Sequence, residues 1–298
     1  MRDWGTLIAV LLVAACGKSP DASYEPSFSH QAQADVKEYV VGIHPLHSPQ
    51  RLMETYGPIL EYIEAAIPGV HFRLEASRNY EEFDKKLYSG RFDFAMPNSY
   101  QTVLSLKHGY RVFGKMGDDG NFRGIILVRK DSGIRAVSDL KGKKVAYPAP
   151  TALAATMMPQ YYLHTHGIDV NRDIENLYVG SQESSIMNVL RGHAAAGATW
   201  PLPWLTFSAE HPAEANQLEV KWQTETLPNN GWVVRQDVPP ALASQFATAL
   251  FGLNDSAQGR KMLARLPISR FEPASDATYA PVRDYLEVFS RSVRPVER

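Results

Sequence analysis

A single cysteine, Cys16, stands in 298 residues, so no disulfide can form within the chain. An excess of either charge is also missing, since 31 lysines and arginines face 32 aspartates and glutamates, for a net charge of −1. That balance offers no basic face to nucleic acid and no polybasic patch to an anionic membrane. The apolar run at residues 6–15 is too short to span a bilayer. Signature motifs of catalysis are absent too. There is no Gly-x-Ser-x-Gly elbow, no His-Glu-x-x-His, no phosphate-binding Gly-x-x-x-x-Gly-Lys-Ser/Thr loop and no Gly-x-Gly-x-x-Gly after a strand. His108, His164 and His166 read as histidines on helix surfaces or ends, so an enzyme is not expected. What is present, 44% hydrophobic and 21% charged residues, is a globular composition, long enough for one large domain or two lobes.

The N-terminal run follows Arg2 and meets Cys16, which suits the apolar segment of a signal peptide. Val13-Ala14-Ala15-Cys16 resembles a bacterial lipobox, in which the signal is cut before the cysteine and the cysteine carries the lipid. The plainer alternative is a buried cysteine after a hydrophobic strand. The expectation is a signal peptide at 1–15 and a lipid-anchored flexible tether at 16–35, rich in Ser, Ala, Pro and Gln. Gly17 stands where an aspartate would signal retention in the inner membrane, which leaves the outer membrane open.

After the tether, residues 36–42 read as a strand broken at Gly42. Residues 49–66 carry Leu52, Met53, Tyr56, Ile59, Leu60 and Ile63 at spacings of three and four, the stripe of an amphipathic helix. A strand at 70–76, a helix at 80–88 and a strand at 92–96 follow. Then come a strand at 124–129 and another ending at Tyr147. A helix at 152–166, with Thr151 as a candidate N-cap, leads to a strand at 175–179, a helix at 183–191 and a strand at 195–199. Strands at 220–224 and 231–235 precede a mainly helical remainder. Alternating strand and helix predicts parallel α/β sheets, whose ligands sit beyond the carboxyl ends of the strands.

Several segments in order, "SGRFDFAMPNSYQ" at 89–101, "RKDSGIRAVSDLKGKKVAY" at 129–147, "GSQESSIMNVLRGHAAAGATW" at 180–200 and "LPNNGWVVRQDVP" at 227–239, resemble the periplasmic binding proteins of phosphate/phosphite/phosphonate ABC transporters. So does the Gly-x-x-Pro turn at Gly42 to Pro45. The resemblance runs from about residue 38 to the C-terminus. It implies a two-lobed periplasmic-binding-protein fold of type II, in which each lobe is a mixed, mainly parallel sheet flanked by helices and two crossover strands join the lobes. Lobe one would hold 36–127 and 228–298, and lobe two 128–227, with the chain crossing near 127–130 and returning near 222–227. It also implies a monomeric periplasmic protein without a cofactor, which the lipobox-like segment ending at Cys16 would anchor to a membrane. Such a protein captures a phosphate- or phosphonate-like oxyanion, or a related small molecule, between the lobes for an ABC permease. A ligand-sensing lipoprotein that partners a sensor kinase, and a lobe pair serving only as scaffold, are the alternatives.

In that family the segment matching 147–159 presents Ser, Thr and Ser at a helix start. Aligned on Pro150 and Pro159, those places hold Ala152, Leu153 and Ala154. Ser181-Gln182-Glu183 stands for Ser-His-Glu, and Ala195 for an aspartate. Backbone N–H groups at the helix start are then the donors that remain for an anion. The ligand-binding candidates are His44, Asn98, Tyr100, Tyr147, Thr151, Ala152, Leu153, Gln182, Trp200 and Asn229. A wider polar and aromatic set adds His47, Thr156, Glu183, Trp204 and Asn230. The tryptophans and tyrosines offer a second possibility, cation–π capture of a quaternary ammonium. His44 and His47, three apart in a proline turn, with Met157 and Met158 in the other lobe, make a metal binder a further alternative, but the pair lacks a third fixed ligand, so no metal ligands are assigned.

Overall fold

The computed structural model describes residues 36–296, so the expected signal peptide at 1–15, the lipidation site Cys16 and the tether to residue 35 lie outside the described residues. In chain order the elements are β1 (Lys37–Ile43), α1 (Pro49–Ala65), β2 (Val70–Glu75), α2 (Tyr80–Tyr88), β3 (Phe94–Met96), α3 (Ser99–Ser105), β4 (Tyr110–Met116), β5 (Arg123–Arg129) and β6 (Lys144–Tyr147). They continue with α4 (Met158–Thr165), β7 (Glu175–Tyr178), α5 (Gln182–Leu190), β8 (Ala196–Thr199), α6 (Pro201–Glu210), α7 (Pro212–Ala215) and β9 (Leu218–Thr226). The chain ends with β10 (Gly231–Arg235), α8 (Pro240–Phe251), α9 (Ala257–Ala264), β11 (Phe271–Pro273) and α10 (Ala280–Ser292).

The strands form two mixed sheets, ordered β11-β4-β10-β3-β1-β2 and β7-β6-β8-β5-β9. In the first, β1 lies parallel to β2 and β3, while β10 runs antiparallel to β3 and β4. In the second, β6 lies parallel to β7 and β8, and β5 is antiparallel to β8 and β9. Val145, Ala146 and Tyr147 are fully buried, as expected of a parallel strand covered on both faces. This is the two-lobed α/β architecture anticipated from the sequence.

The crossings lie elsewhere than expected. β5 belongs to the second sheet along its whole length, because Arg123 pairs with Thr226 and Ile125 with Thr199. The chain therefore crosses at 117–122, before the expected 127–130, and returns at 227–230. These two segments hold one another: Asn229 Nδ2 donates to Gly117 O at 2.8 Å and Leu227 N to Phe122 O at 3.1 Å. Asp119 Oδ1 accepts from Asn229 N at 2.9 Å.

Helix α1 buries Leu52, Tyr56, Ile59, Leu60 and Ile63, but Met53 is 47% exposed. Met53 follows Leu52 by about 100° around the helix, which takes it off the buried face. Pro58 sits inside this helix and leaves Glu54 O without its usual donor. Arg265 Nη1 approaches that carbonyl at 3.4 Å. Behind the first sheet the rings of Phe94 and Phe246 stack at 4.3 Å, with Phe72 5.1 Å from Phe246. That aromatic core fixes the strands whose ends carry the site.

Candidate functional site

Four parallel strands end at one place between the sheets. His44 follows β1, Asn98 follows β3, the loop at 148–152 follows β6, and Trp200 follows β8. With Tyr80 at the start of α2, Gln182 at the start of α5, Phe122 and Asn230 from the two crossings, and Ala152 to Ala155, they line a cavity. The space it leaves for the centre of a water molecule is about 10 Å³, room for about one water.

The loop after β6 enters its helix through a wide turn. Met157 N reaches back to Ala152 O at 3.2 Å and Met158 N to Leu153 O, both spanning five residues. Such π-type turns occur mostly as single turns and often at functional sites. The N–H groups of Leu153, Ala154 and Ala155 have no hydrogen-bond partner among the described residues, as the first amides of a helix do not. Gly124 of β5 runs behind this turn, so close that a Cβ there would lie 2.6 Å from Ala154 O and from Pro159 Cδ.

The lobe-one wall is neutral. His44 Nδ1 donates to Met96 O at 2.9 Å, which leaves Nε2 as a lone pair with no described partner. Burial lowers its pKa to about 4, so the ring is uncharged near neutral pH. His47 is lowered to about 3, chiefly by burial and then by the Arg51 charge and by His44. Tyr80 is pushed up by burial and keeps its proton. Asn98 is held by its own capping box, with Oδ1 accepting from Gln101 N at 3.1 Å, and its Nδ2 crosses the cleft to Thr151 O at 3.0 Å. Asn230 is 1% exposed; its Nδ2 lies 3.5 Å from Met116 Sδ and its Oδ1 has no partner among the described residues. Gln182 is pinned at both ends, donating to Tyr80 Oη at 3.2 Å and accepting from Thr199 Oγ1 at 2.9 Å. No lysine or arginine lines the cavity.

Of the sequence candidates, His44, Asn98, Ala152, Leu153, Gln182 and Trp200 come together here. Tyr100, Tyr147, Thr151 and Asn229 do not line it. Tyr100 is buried in α3, and Tyr147 packs on Tyr178 with ring centroids 6.1 Å apart. Thr151 caps no helix, since Ala152 holds the N-cap place; its Oγ1 lies 3.5 Å from Asp84 Oδ2 of the other lobe. Asn229 is spent on the crossing, where Asn230, its neighbour from the wider set, faces the cavity instead. Tyr80 and Phe122 were not foreseen. Tyr80 had a signal, as the first helical residue after the carboxyl end of β2; Phe122 had none, because its place depends on where the chain crosses.

Beyond Gln182 a groove of about 260 Å³ opens between Leu46 to Arg51 and α5 and α6. Arg51 Nη1 bridges it to Glu210, at 2.6 Å from Oε1 and 2.8 Å from Oε2, and so ties α1 to α6 across the mouth. Among the described residues no group of three or more His, Cys, Asp or Glu gathers that could hold a metal ion.

Comparison with known proteins points the same way. Residues 41–279 match the family model described as "ABC transporter, phosphonate, periplasmic substrate-binding protein". A curated relative, "Probable ABC transporter phosphite binding protein PhnD1" of Prochlorococcus marinus (strain MIT 9301), is 23% identical over 140 residues, 44% of this chain and 47% of the relative. The chain thus matches about half the length of that relative. Among solved structures, a binding protein component of an ABC phosphonate transporter from Pseudomonas aeruginosa is similar with a TM-score of 0.80 at 18% identity, covering 87% of this chain and 88% of that one. PhnD1 from Prochlorococcus marinus (MIT 9301), in complex with methylphosphonate, gives 0.79 at 17% identity over 86% and 99%. At these identities the likeness of structures speaks for the fold.

Proposed function

Because the chain belongs to the family of periplasmic substrate-binding proteins of phosphonate ABC transporters, we propose that it captures a small phosphite- or phosphonate-like oxyanion between its lobes and presents it to an ABC permease. The family is a substrate-binding component of a transporter, not an enzyme. The observation that carries the ligand class is the free helix start at Leu153 to Ala155, three residues that line a buried cavity at the carboxyl ends of four strands and whose N–H groups have no partner among the described residues. The residues proposed to meet the ligand are those amides with His44, Tyr80, Asn98, Gln182, Trp200 and Asn230.

With room for about one water, the cavity takes an oxyanion only after the lobes part at the crossings 117–122 and 227–230 and close again. The interlobe bonds Asn98–Thr151, Gln182–Tyr80 and Arg51–Glu210 would break and re-form in that cycle. We further propose that Cys16 is acylated and holds the protein at the periplasmic face of a membrane. Cys16→Ser should then release it from the membrane fraction, and continued association would remove the anchor.

Thermal unfolding with and without methylphosphonate or phosphite tests the ligand class. At 100 times the dissociation constant, ligand stabilises by about 2.7 kcal/mol and raises Tm. No rise with phosphite, phosphate or methylphosphonate at millimolar concentration would refute the oxyanion reading.

A further inference from the structure

Resting on the oxyanion reading above, we propose that the cavity selects the singly protonated form of its ligand, one that carries both P–O⁻ and P–OH, and rejects ions of the same shape that have no O–H, such as sulfonates. The argument comes from which polar groups are already spent. Asn98 uses both ends of its amide, on Gln101 N and Thr151 O, and Gln182 uses both of its own, on Tyr80 and Thr199. The unspent donors are the amides of Leu153 to Ala155, the Tyr80 hydroxyl proton, which no described group accepts, and the second N–H of the Asn98, Gln182 and Asn230 side-chain amides. The unspent acceptors are His44 Nε2, opposite the Nδ1–H that binds Met96 O, and Asn230 Oδ1, which is buried without a partner. These two residues are 2% and 1% exposed.

A fully deprotonated oxyanion leaves those acceptors unpaired and sets lone pairs against them. A ligand P–OH gives one of them a hydrogen bond. The charge balance points the same way, because a buried dianion needs paired cations and no lysine or arginine lines the cavity. The charged and titratable groups nearby do not supply them. His44 lies between the rings of Tyr80 and Phe83, with His47 beside it and Arg51 beyond His47 in the outer groove, paired with Glu210. Asp84, on α2, accepts from Gln101 Nε2 at 2.5 Å and adds negative charge on this side.

The test pairs methylphosphonate with methanesulfonate, which matches its shape but has no acidic O–H left when ionised. Calorimetric titration of the purified protein is carried from mildly acidic to mildly basic pH. Methylphosphonate should bind about 100-fold tighter or more, since a site built to hydrogen-bond an O–H rejects the analogue lacking it. Its affinity, counted on total ligand, should fall about tenfold per pH unit once the ligand loses its last proton. Equal affinities, or a flat pH profile, would overturn the selection while leaving the oxyanion reading intact. Binding of neither ion, and of neither phosphite nor phosphate in the same titration, would overturn both. His44→Phe with an unchanged Tm should narrow the gap between the two ions, and an undiminished gap would also count against the proposal.

Discussion

His44 sets a pH dependence of stability that can be worked out from its surroundings. The ring is 2% exposed, packed between Tyr80 and Phe83, and burial holds its pKa near about 4 against 6.5 when solvated. The unfolded chain therefore takes up a proton as pH falls through about 6.5, and the folded chain does not until about 4. Stability contributed by the neutral ring is complete above the unfolded value and is lost as pH falls between the two. At about 1.4 kcal/mol per pK unit, the loss approaches about 3 kcal/mol at the acid end and is about 2 kcal/mol between pH 7 and pH 5. Paired carboxylates add little in that interval: Glu75 and Glu82, both held near about 2 with Arg91 and Arg78 as their leading lowering partners, lose their contribution only below 4.5. His47, lowered to about 3, acts in the same direction and remains in a His44 variant. His44→Phe keeps the apolar contacts with the neighbouring rings, and Met96 O still accepts from the residue-44 backbone N–H at 3.1 Å. Urea unfolding of both proteins at pH 7, 6 and 5 should show the parent losing about 2 kcal/mol more than the variant, at unchanged slope. Parallel losses would mean that His44 is protonated in the folded protein or is solvated, and would refute the reasoning.

Gly124→Ala sets a methyl group against Ala154 O and Pro159, so it should cost about 1–3 kcal/mol by urea unfolding and weaken methylphosphonate binding by shifting the helix start; a neutral variant would show that the turn yields freely. Leu153→Ser restores a hydroxyl at the cavity while removing a buried side chain. It should lose about 2–4 kcal/mol in stability yet bind methylphosphonate tighter, and weaker binding by calorimetry would show that Leu153 shapes the site productively. Arg51→Ala removes an ion pair between half-exposed partners, so the free energy at stake is about 1 kcal/mol or less. Ligand affinity should fall by no more than about fivefold, with small-angle scattering showing a more open ligand-free form; a larger loss would make Arg51 a ligand contact.

Much of the fold and part of the site were legible before any coordinates. Strand and helix periods are local, so the alternation that gives two parallel-rich sheets could be read directly, and with it the rule that ligands gather at strand carboxyl ends. His44, Asn98, Gln182 and Trp200, candidates from their place near the expected cleft, each follow a strand end or open a helix and line the cavity. Ala152 and Leu153 came from aligning prolines with the family, and their bland side chains make sense once the amides behind them are seen to be free. Met53 shows the limit of the helical period, which marks a stripe but not its edge.

What the chain order could not convey was register and crossing. Asn229 and Asn230 are adjacent and chemically identical, yet the pairing of β10 turns one to the crossing and the other to the cavity. Tyr147 ends a strand as the sequence suggests, but it packs on Tyr178, away from the cavity lining. Phe122 reaches the cavity because β5 pairs with β9 from Arg123 onward, a bond pattern between residues about a hundred positions apart. Propensity and apolar spacing are set within a few residues and so can be read along the chain. Which hydrogen bonds are spent, and which donors and acceptors are left over for a ligand, depends on segments that meet only when both sheets are in place.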